Sequence, residues 1–194
     1  MELPDRLKWN ARYSASDYSP SFAPHPLAVR ALSLPMPAGP VLELACGPSG
    51  SALHAAALGR AVTAVDASDV ALGLLAGQAQ SRGLADRITV VNADLRRWRP
   101  TPRGFALVLA TGYWDRALFG AAADAVLAGG LLAWEAFTLA ARSARPSVPA
   151  DWCLRPGEPA SVLPADFAVL SQRETGQPPG ARRRMIARRG GGHC

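Results

Sequence analysis

Glu43 stands in the run Val41-Leu-Glu43-Leu-Ala45-Cys46-Gly47-Pro48-Ser49-Gly50, an acid near the end of an apolar stretch and just before a turn of small residues. Two further acids hold comparable places: Asp66 ends the run from Arg60, and Asp94 follows Ile88-Thr-Val-Val-Asn92. Small residues after a strand let a ligand approach the backbone, and Gly47 and Gly50 can take conformations that a side chain forbids. An acid at the end of a second strand is placed to accept hydrogen bonds from both ribose hydroxyls. The pattern implies the adenosine half of a cofactor.

A nicotinamide or flavin dinucleotide would use the same two features, so the turn must decide. Dinucleotide sites offer G-x-G-x-x-G and a helix N-terminus to a pyrophosphate, with no negative side chain in the way. Here Glu43 lies just before the turn, where it repels phosphate and attracts an ammonium or sulfonium group, and the glycine spacing from 47 to 50 is G-x-x-G. The charge favours S-adenosylmethionine.

The elements that must position these residues alternate from about residue 39 between short apolar runs and longer helix-forming segments, the pattern of an α/β fold with a largely parallel sheet. Strands are expected at 40–45, 60–66, 88–92, 105–110 and 131–137. Helices are expected at 51–58, at 68–82 behind the capping residue Ser68, and at 117–127 up to Gly129-Gly130. Residues 142–151 read as a loop, 156–163 as a short helix, and 167–173 with 183–187 as two strands joined by the turn Gly176-Gln-Pro-Pro-Gly180. A short turn makes that last pair antiparallel.

The motifs resemble those of the class I S-adenosylmethionine-dependent methyltransferases. That family's first motif, an acid followed by a Gly-rich loop and written E/D-x-G-x-G-x-G, is matched by Glu43-Leu-Ala45-Cys46-Gly47-Pro48-Ser49, with Ala45 and Ser49 in place of two glycines. Asp66 corresponds to its ribose-binding acid, and Asn92-Ala93-Asp94-Leu95 is similar to its third motif, in which Asp94 would hold the adenine amino group. Trp9-Asn-Ala-Arg12-Tyr13 resembles a W-x-x-R-Y segment of small tellurite-resistance and thiopurine-type members, where it helps close the cofactor pocket. Trp134-Glu135-Ala-Phe137, with Leu154-Arg-Pro156-Gly157-Glu158, is similar to a Y-E-T-F…L-x-P-G-E pattern of the same group. The resemblance runs over roughly residues 40–189. It implies a Rossmann-like seven-stranded sheet, mostly parallel with a C-terminal antiparallel hairpin and helices on both faces. It also implies cofactor contacts from Glu43, Ala45, Gly47, Asp66, Ala67, Asp94, Leu95 and Thr111, capped by Trp9 and Tyr13.

Three units follow: an N-terminal lid over 1–38, the cofactor-binding domain over 39–189, and a flexible tail over 190–194. The acceptor is expected at the carboxyl ends of the strands, near Tyr113, Trp114 and Glu135. Methyl transfer to a good nucleophile needs chiefly alignment and exclusion of water, so no general base is assigned and the catalytic residue stays open. Cys46 reads as a small buried residue, since no histidine is near it in sequence. His25 and His54 are isolated in sequence, and no metal site is expected.

The chain has 194 residues, 49% apolar and 19% charged, enough to build one core. Its net charge of +6 and pI near 10.0 could suggest nucleic acid. However, of 21 basic residues five (Arg182, Arg183, Arg184, Arg188 and Arg189) lie in the last 13 positions, and the remaining 16 face 15 acids. The body is nearly neutral, so a small-molecule acceptor is expected, nucleic acid is not, and no membrane partner is implied. Three scattered cysteines and the absence of an apolar leader point to the cytoplasm. The competing readings are methylation of RNA or protein, suggested by the arginines, and a non-catalytic cofactor-binding protein.

Overall fold

The computed structural model describes residues 4–191. Two helices precede the sheet, α1 (Pro4–Tyr13) and α2 (Pro26–Leu32); they then alternate as β1 (Val41–Leu44), α3 (Gly50–Ala57), β2 (Val62–Asp66), α4 (Asp69–Ser81), β3 (Ile88–Asn92), β4 (Phe105–Thr111), α5 (Arg116–Asp124) and β5 (Val126–Phe137). Strands β6 (Phe167–Thr175) and β7 (Arg182–Arg189) close the chain. The sheet has seven strands in the order β3-β2-β1-β4-β5-β7-β6. Strands β1 to β5 pair in parallel, and β7 is antiparallel to both β5 and β6. This is the expected Rossmann-like sheet with its antiparallel hairpin.

Sequence explains why the strands sit where they do. β1 is buried at all four positions, as a central parallel strand covered on both faces must be, whereas the edge strands β3 and β6 are largely exposed. One face of the sheet packs Leu27, Ala31, Leu53, Leu75, Leu109 and Ile186 beneath α2, α3 and α4. The other packs Leu42, Val108, Phe119, Trp134 and Met185 against α5. Ser49, Ser68 and Asp115 accept hydrogen bonds from the backbone amides of Ala52, Ala71 and Leu118, so α3, α4 and α5 each begin at a side-chain cap.

Several boundaries differ from the sequence reading. α5 stops at Asp124, and Gly129-Gly130 lies inside β5 instead of ending a helix. A Cβ on Gly130 would fall 2.9 Å from the carbonyl oxygens of Ala106 and Leu127, and the β4–β5 register shifts between Phe105 and Leu107. The glycine pair therefore admits a bulge where two backbones nearly touch. Residues 156–163 form only a single 3-10 turn, Ala160–Val162. α1 and α2 had no counterpart in the periodicity.

Of the proposed tail, Gly190 donates its amide to the Asp166 carbonyl at 2.7 Å, while residues 192–194 lie outside the described residues. No helix among the described residues is long and apolar enough to cross a membrane.

Gly50 ties the N-terminal segment to the sheet. A Cβ there would lie 2.3 Å from the Ala23 carbonyl oxygen and 2.5 Å from the Phe22 carbonyl carbon. Gly50→Ala is expected to cost about 1–3 kcal/mol, because the obstacle is backbone and cannot rotate away. Thermal unfolding checks this; an unchanged Tm would mean that residues 22–23 are not held against α3.

Candidate functional site

The turn after β1 is built on left-handed backbone, with φ +50° at Ala45 and +55° at Gly47. An alanine in that region is strained, so neighbouring contacts must hold it there. Asp66 supplies one of them. Its Oδ2 accepts from the Gly47 amide at 2.8 Å and its Oδ1 from the Ser68 amide at 2.8 Å, so one carboxylate joins the turn after β1 to the start of α4. Asn92 Nδ2 donates to the carbonyls of Asp66 and Ala67 at 3.2 and 2.9 Å, fixing the end of β2 from the neighbouring strand. Asp66 is 8% exposed, and burial raises its pKa despite the two amide donors.

Glu43 is 2% exposed and accepts a hydrogen bond from Ser49 Oγ at 2.6 Å, while Ser49 caps α3 by accepting from Ala52 at 3.0 Å. Burial lifts the Glu43 carboxyl to about 7, the serine hydrogen bond opposing. Ionisation of this buried acid has no cationic partner among the described residues, so a bound cation is what would restore it. Cys46 lies between the two acids; burial, then the charges of Glu43 and Asp66, push its thiol well above its usual range. It is no nucleophile at neutral pH.

The N-terminal helix closes over this turn. Asn10 accepts from Ser68 Oγ at 2.7 Å and donates to Asp69 at 2.7 Å, and Arg6 Nε donates to Asp69 at 3.1 Å, so α1 is fastened to the first turn of α4. That places the Tyr13 hydroxyl 3.0 Å from where a Cβ on Gly47 would lie. Tyr13 stacks on Trp9 at 5.8 Å and meets Tyr18 edge-on at 5.2 Å. Burial, then the Asp66 charge, pushes the Tyr13 phenol far up, so it stays protonated. Lys8 bridges the rings of Trp9 and Trp152 at 5.6 and 5.4 Å, joining α1 to the loop after β5.

Asp94 accepts from the amide and Nε of Arg96 at 3.0 and 3.1 Å, and Arg96 also approaches Asp5 at 3.6 Å. Burial would raise the Asp94 carboxyl, but these bonds leave it lowered. Leu95 is buried in the core. Thr111, partly exposed, ends β4 opposite Glu135.

The residues expected beside the acceptor separate. Tyr113 is half-buried at the mouth of β4, its carbonyl accepting from Trp134 Nε1 at 2.8 Å. Burial, then Asp115, pushes its phenol up to about 12. Trp114 turns inward, 4% exposed, against Phe119 at 5.2 Å and Trp134 at 6.2 Å. Glu135 is fully buried and binds Arg182 Nη1 at 2.9 Å, Arg184 Nε and His25 Nε2, the last at 3.3 Å. Burial would raise the Glu135 carboxyl, but these hydrogen bonds bring it down to about 2.

His25, isolated in sequence, is therefore a partner in three dimensions. Its Nδ1 accepts from the Leu27 amide at 3.1 Å, which leaves Nε2 to carry the proton toward Glu135. The sequence did hold one signal for this cluster: Arg182 and Arg184 alternate on one face of β7, and only that face can meet β5's acid. Glu158 of the Pro-Gly-Glu segment, 2% exposed, pairs with Arg116 and accepts from the Arg155 amide at 2.8 Å.

Glu43, Ala45, Gly47, Asp66 and Ala67 thus surround one turn, with Trp9 and Tyr13 above it and Asp94 and Thr111 at neighbouring strand ends. The donor set is acidic and buried, which fits a cationic amino acid moiety carrying a ribose and excludes a pyrophosphate from the same turn.

Residues 41–130 match a family model described as "Methyltransferase domain". No curated protein sequence matches the chain. Among solved structures the fold is similar to a protein studied in the conversion of a disulfide bond into a thioacetal group during echinomycin biosynthesis, with TM-score 0.72, 22% identity, and coverage of 97% of this chain and 94% of that one. It is similar to geranyl diphosphate C-methyltransferase from Streptomyces coelicolor A3(2), with TM-score 0.71, 11% identity and coverage of 97% and 100%. TehB from Haemophilus influenzae gives TM-score 0.68, 16% identity and coverage of 95% and 66%. At these identities the structural likenesses establish the fold, while the family model bears on the segment that carries the turn and its acids. Residues 41–130, which carry the turn and its acids, thus match a methyltransferase domain, and the chain as a whole shares the fold of these solved structures.

Proposed function

We propose that the protein transfers a methyl group from S-adenosylmethionine to a small-molecule acceptor held at the carboxyl ends of β4 and β5. The observation that carries this reading is the pair of buried acids, Glu43 and Asp66, on either side of the left-handed turn at Ala45 and Gly47. Asp66 would receive the ribose hydroxyls with the lone pairs left by Gly47 and Ser68. Glu43 would face the cationic methionyl end, and Ala67, Asp94 and Leu95 would border the adenine.

The cofactor supplies an electrophilic methyl on a sulfonium. The protein's part is alignment and exclusion of water, through Trp9, Tyr13 and the Lys8–Trp152 contact over the turn. Neither the raised phenol of Tyr113 nor the ion-paired Glu135 is suited to remove a proton near neutrality.

The linked geranyl diphosphate C-methyltransferase structure was determined with geranyl diphosphate and S-adenosyl-L-homocysteine, a small acceptor and a demethylated cofactor, which supports the reading by analogy. Free thiols at Cys46 and Cys153 support a reducing, cytoplasmic setting. Methylation of RNA is disfavoured because the arginines of β7 are engaged: Arg182 and Arg184 on Glu135, Arg183 on Glu174, Arg188 on the carbonyls of Gly129 and Pro35, and Arg189 on Asp166. A salt-sensitive gel shift with bulk RNA would reverse that judgement.

The direct test pairs calorimetry against S-adenosylmethionine with radiolabel transfer to a panel of thiols, amines, phenols and chalcogen anions. Binding, with transfer to at least one member of the panel, is expected. No adenosyl binding would overturn the proposal.

The pH dependence is specific. A carboxyl raised to about 7 in the folded protein adds stability below the unfolded-state value of 4.5 and loses it as pH rises through 7. A cationic ligand reverses that preference, so ionisation of Glu43 alone should raise cofactor affinity about eightfold between pH 6 and 7.5, less whatever the ligand's own amino group loses by deprotonating. Glu43→Gln should weaken binding and flatten the profile; a wild-type profile that is already flat would detach Glu43 from the ligand.

A further inference from the structure

A cavity of about 470 Å³ lies between α2 and the β6–β7 hairpin, on the sheet face that α2 only partly covers. Its apolar wall includes Leu27, Leu34 and Ile186, and its polar wall includes Arg30, Arg173 and Arg184, with no acid in the lining. The side chains of Arg30 and Arg173 are exposed and make no hydrogen bond or ion pair among the described residues, unlike those of the five arginines of β7. Arg184 stands opposite Arg173 in the β6–β7 register. It joins the cavity to the strand ends, since its Nε donates to Glu135, opposite Thr111 at the end of β4.

Charge around this junction does not balance. The single carboxylate of Glu135 is shared by Arg182 and Arg184, with His25 also against it, and Arg30 and Arg173 add two unpaired guanidinium groups. Both side chains line the cavity beside its apolar wall with no acid there to neutralise them, so an anion is drawn to the pair. A guanidinium fork matches the planar oxygens of a carboxylate or phosphate, and the apolar wall suits the body of the same molecule.

We propose that this cavity binds an acidic small molecule, a carboxylate or phosphate joined to an apolar body. Its oxyanion is held by Arg30 and Arg173, and its body lies along Leu27, Leu34 and Ile186. Resting on the function proposed above, it is where the acidic end of the methyl acceptor is held, with Arg184 leading from it to the transfer site.

Calorimetry with the intact protein tests this using 3-phenylpropanoate, phenyl phosphate and the neutral 3-phenylpropanamide. The expected result is that at least one anion binds, that the amide binds at least about tenfold more weakly, which is about 1.4 kcal/mol, and that added salt weakens the anion. The preferred anion separates carboxylate from phosphate recognition. The double variant Arg30→Gln/Arg173→Gln, on exposed side chains, should lower anion affinity by at least about tenfold while Tm and S-adenosylmethionine affinity stay at wild-type values.

Equal binding of anion and amide, or wild-type anion affinity in the double variant, would overturn the proposal. So would sedimentation showing a dimer that the double variant dissociates, since the cavity would then receive a second copy. Anion binding without S-adenosylmethionine binding would overturn the methyltransferase reading and leave the acidic-ligand site standing; the reverse pattern would do the opposite.

Discussion

Asp66→Ala should weaken S-adenosylmethionine binding by at least about a hundredfold, equivalent to roughly 2.7 kcal/mol. Hydrogen bonds to an ionised acceptor contribute about 1.5–3 kcal/mol each, and Asp66 is the acid placed to accept from the ribose. The same substitution leaves the Gly47 and Ser68 amides without their acceptor, at about 1–3 kcal/mol for each amide that water does not reach. Part of that loss is offset because the buried carboxylate no longer has to be desolvated.

Asp66→Asn separates the two effects. Its carbonyl oxygen still accepts from one amide, so more stability should remain than in the alanine variant, while affinity stays low. Calorimetry and urea unfolding measure the two quantities independently. Wild-type affinity in Asp66→Ala would remove the acid from the cofactor site and leave it a purely structural clasp.

Trp114→Ala is expected to destabilise the protein by about 3–5 kcal/mol, the range for emptying a buried aromatic site. The ring is 4% exposed and completes a cluster with Phe119 and Trp134, themselves 5.1 Å apart. Phe119 belongs to α5 and Trp134 to β5, so the cavity would open between the helix and the sheet beneath it. Trp114→Phe keeps most of the packing and should cost less than about 1.5 kcal/mol. If Trp114 only packs, the phenylalanine variant retains wild-type KM for the acceptor identified by the transfer panel. If instead the ring lines the acceptor pocket, KM rises while stability holds. Tyr113, one residue earlier and half-buried at the strand mouth, is the better-placed contact of the two.

Much of the architecture was legible because strand and helix signals are local. The runs at 41–44, 62–66 and 88–92 are short, mostly apolar segments followed by polar or small residues, and Ser68 with Gly83 brackets α4 with capping chemistry. The antiparallel hairpin followed from a turn too short for the crossover that a parallel pair needs. The same local logic misread Gly129-Gly130 as a helix end, because what those glycines answer is the backbone of β4 across the bulge, 24 residues away in sequence at Ala106. α1 and α2 were missed for a related reason. Each is short, and α1 is fastened by Asn10 and Arg6 to a helix about 60 residues later.

By itself the sequence determined the fold class, the turn after β1 and the acids at the ends of three successive strands, since a strand's last residue and its following turn are neighbours along the chain. Tertiary structure decided what those groups do to one another. It placed Asp66 across two loops, raised Glu43 to about 7 by enclosing it, and sent Trp114 inward while Tyr113 stayed at the mouth. It also turned four arginines of the last strand, whose five arginines account for most of the net charge, into partners of Glu135, Glu174 and Asp166, and left the side chains of Arg30 and Arg173 without an acid among the described residues. The physical reason is that desolvation and ion pairing depend on which distant elements pack together, and no count or spacing along the chain carries that information.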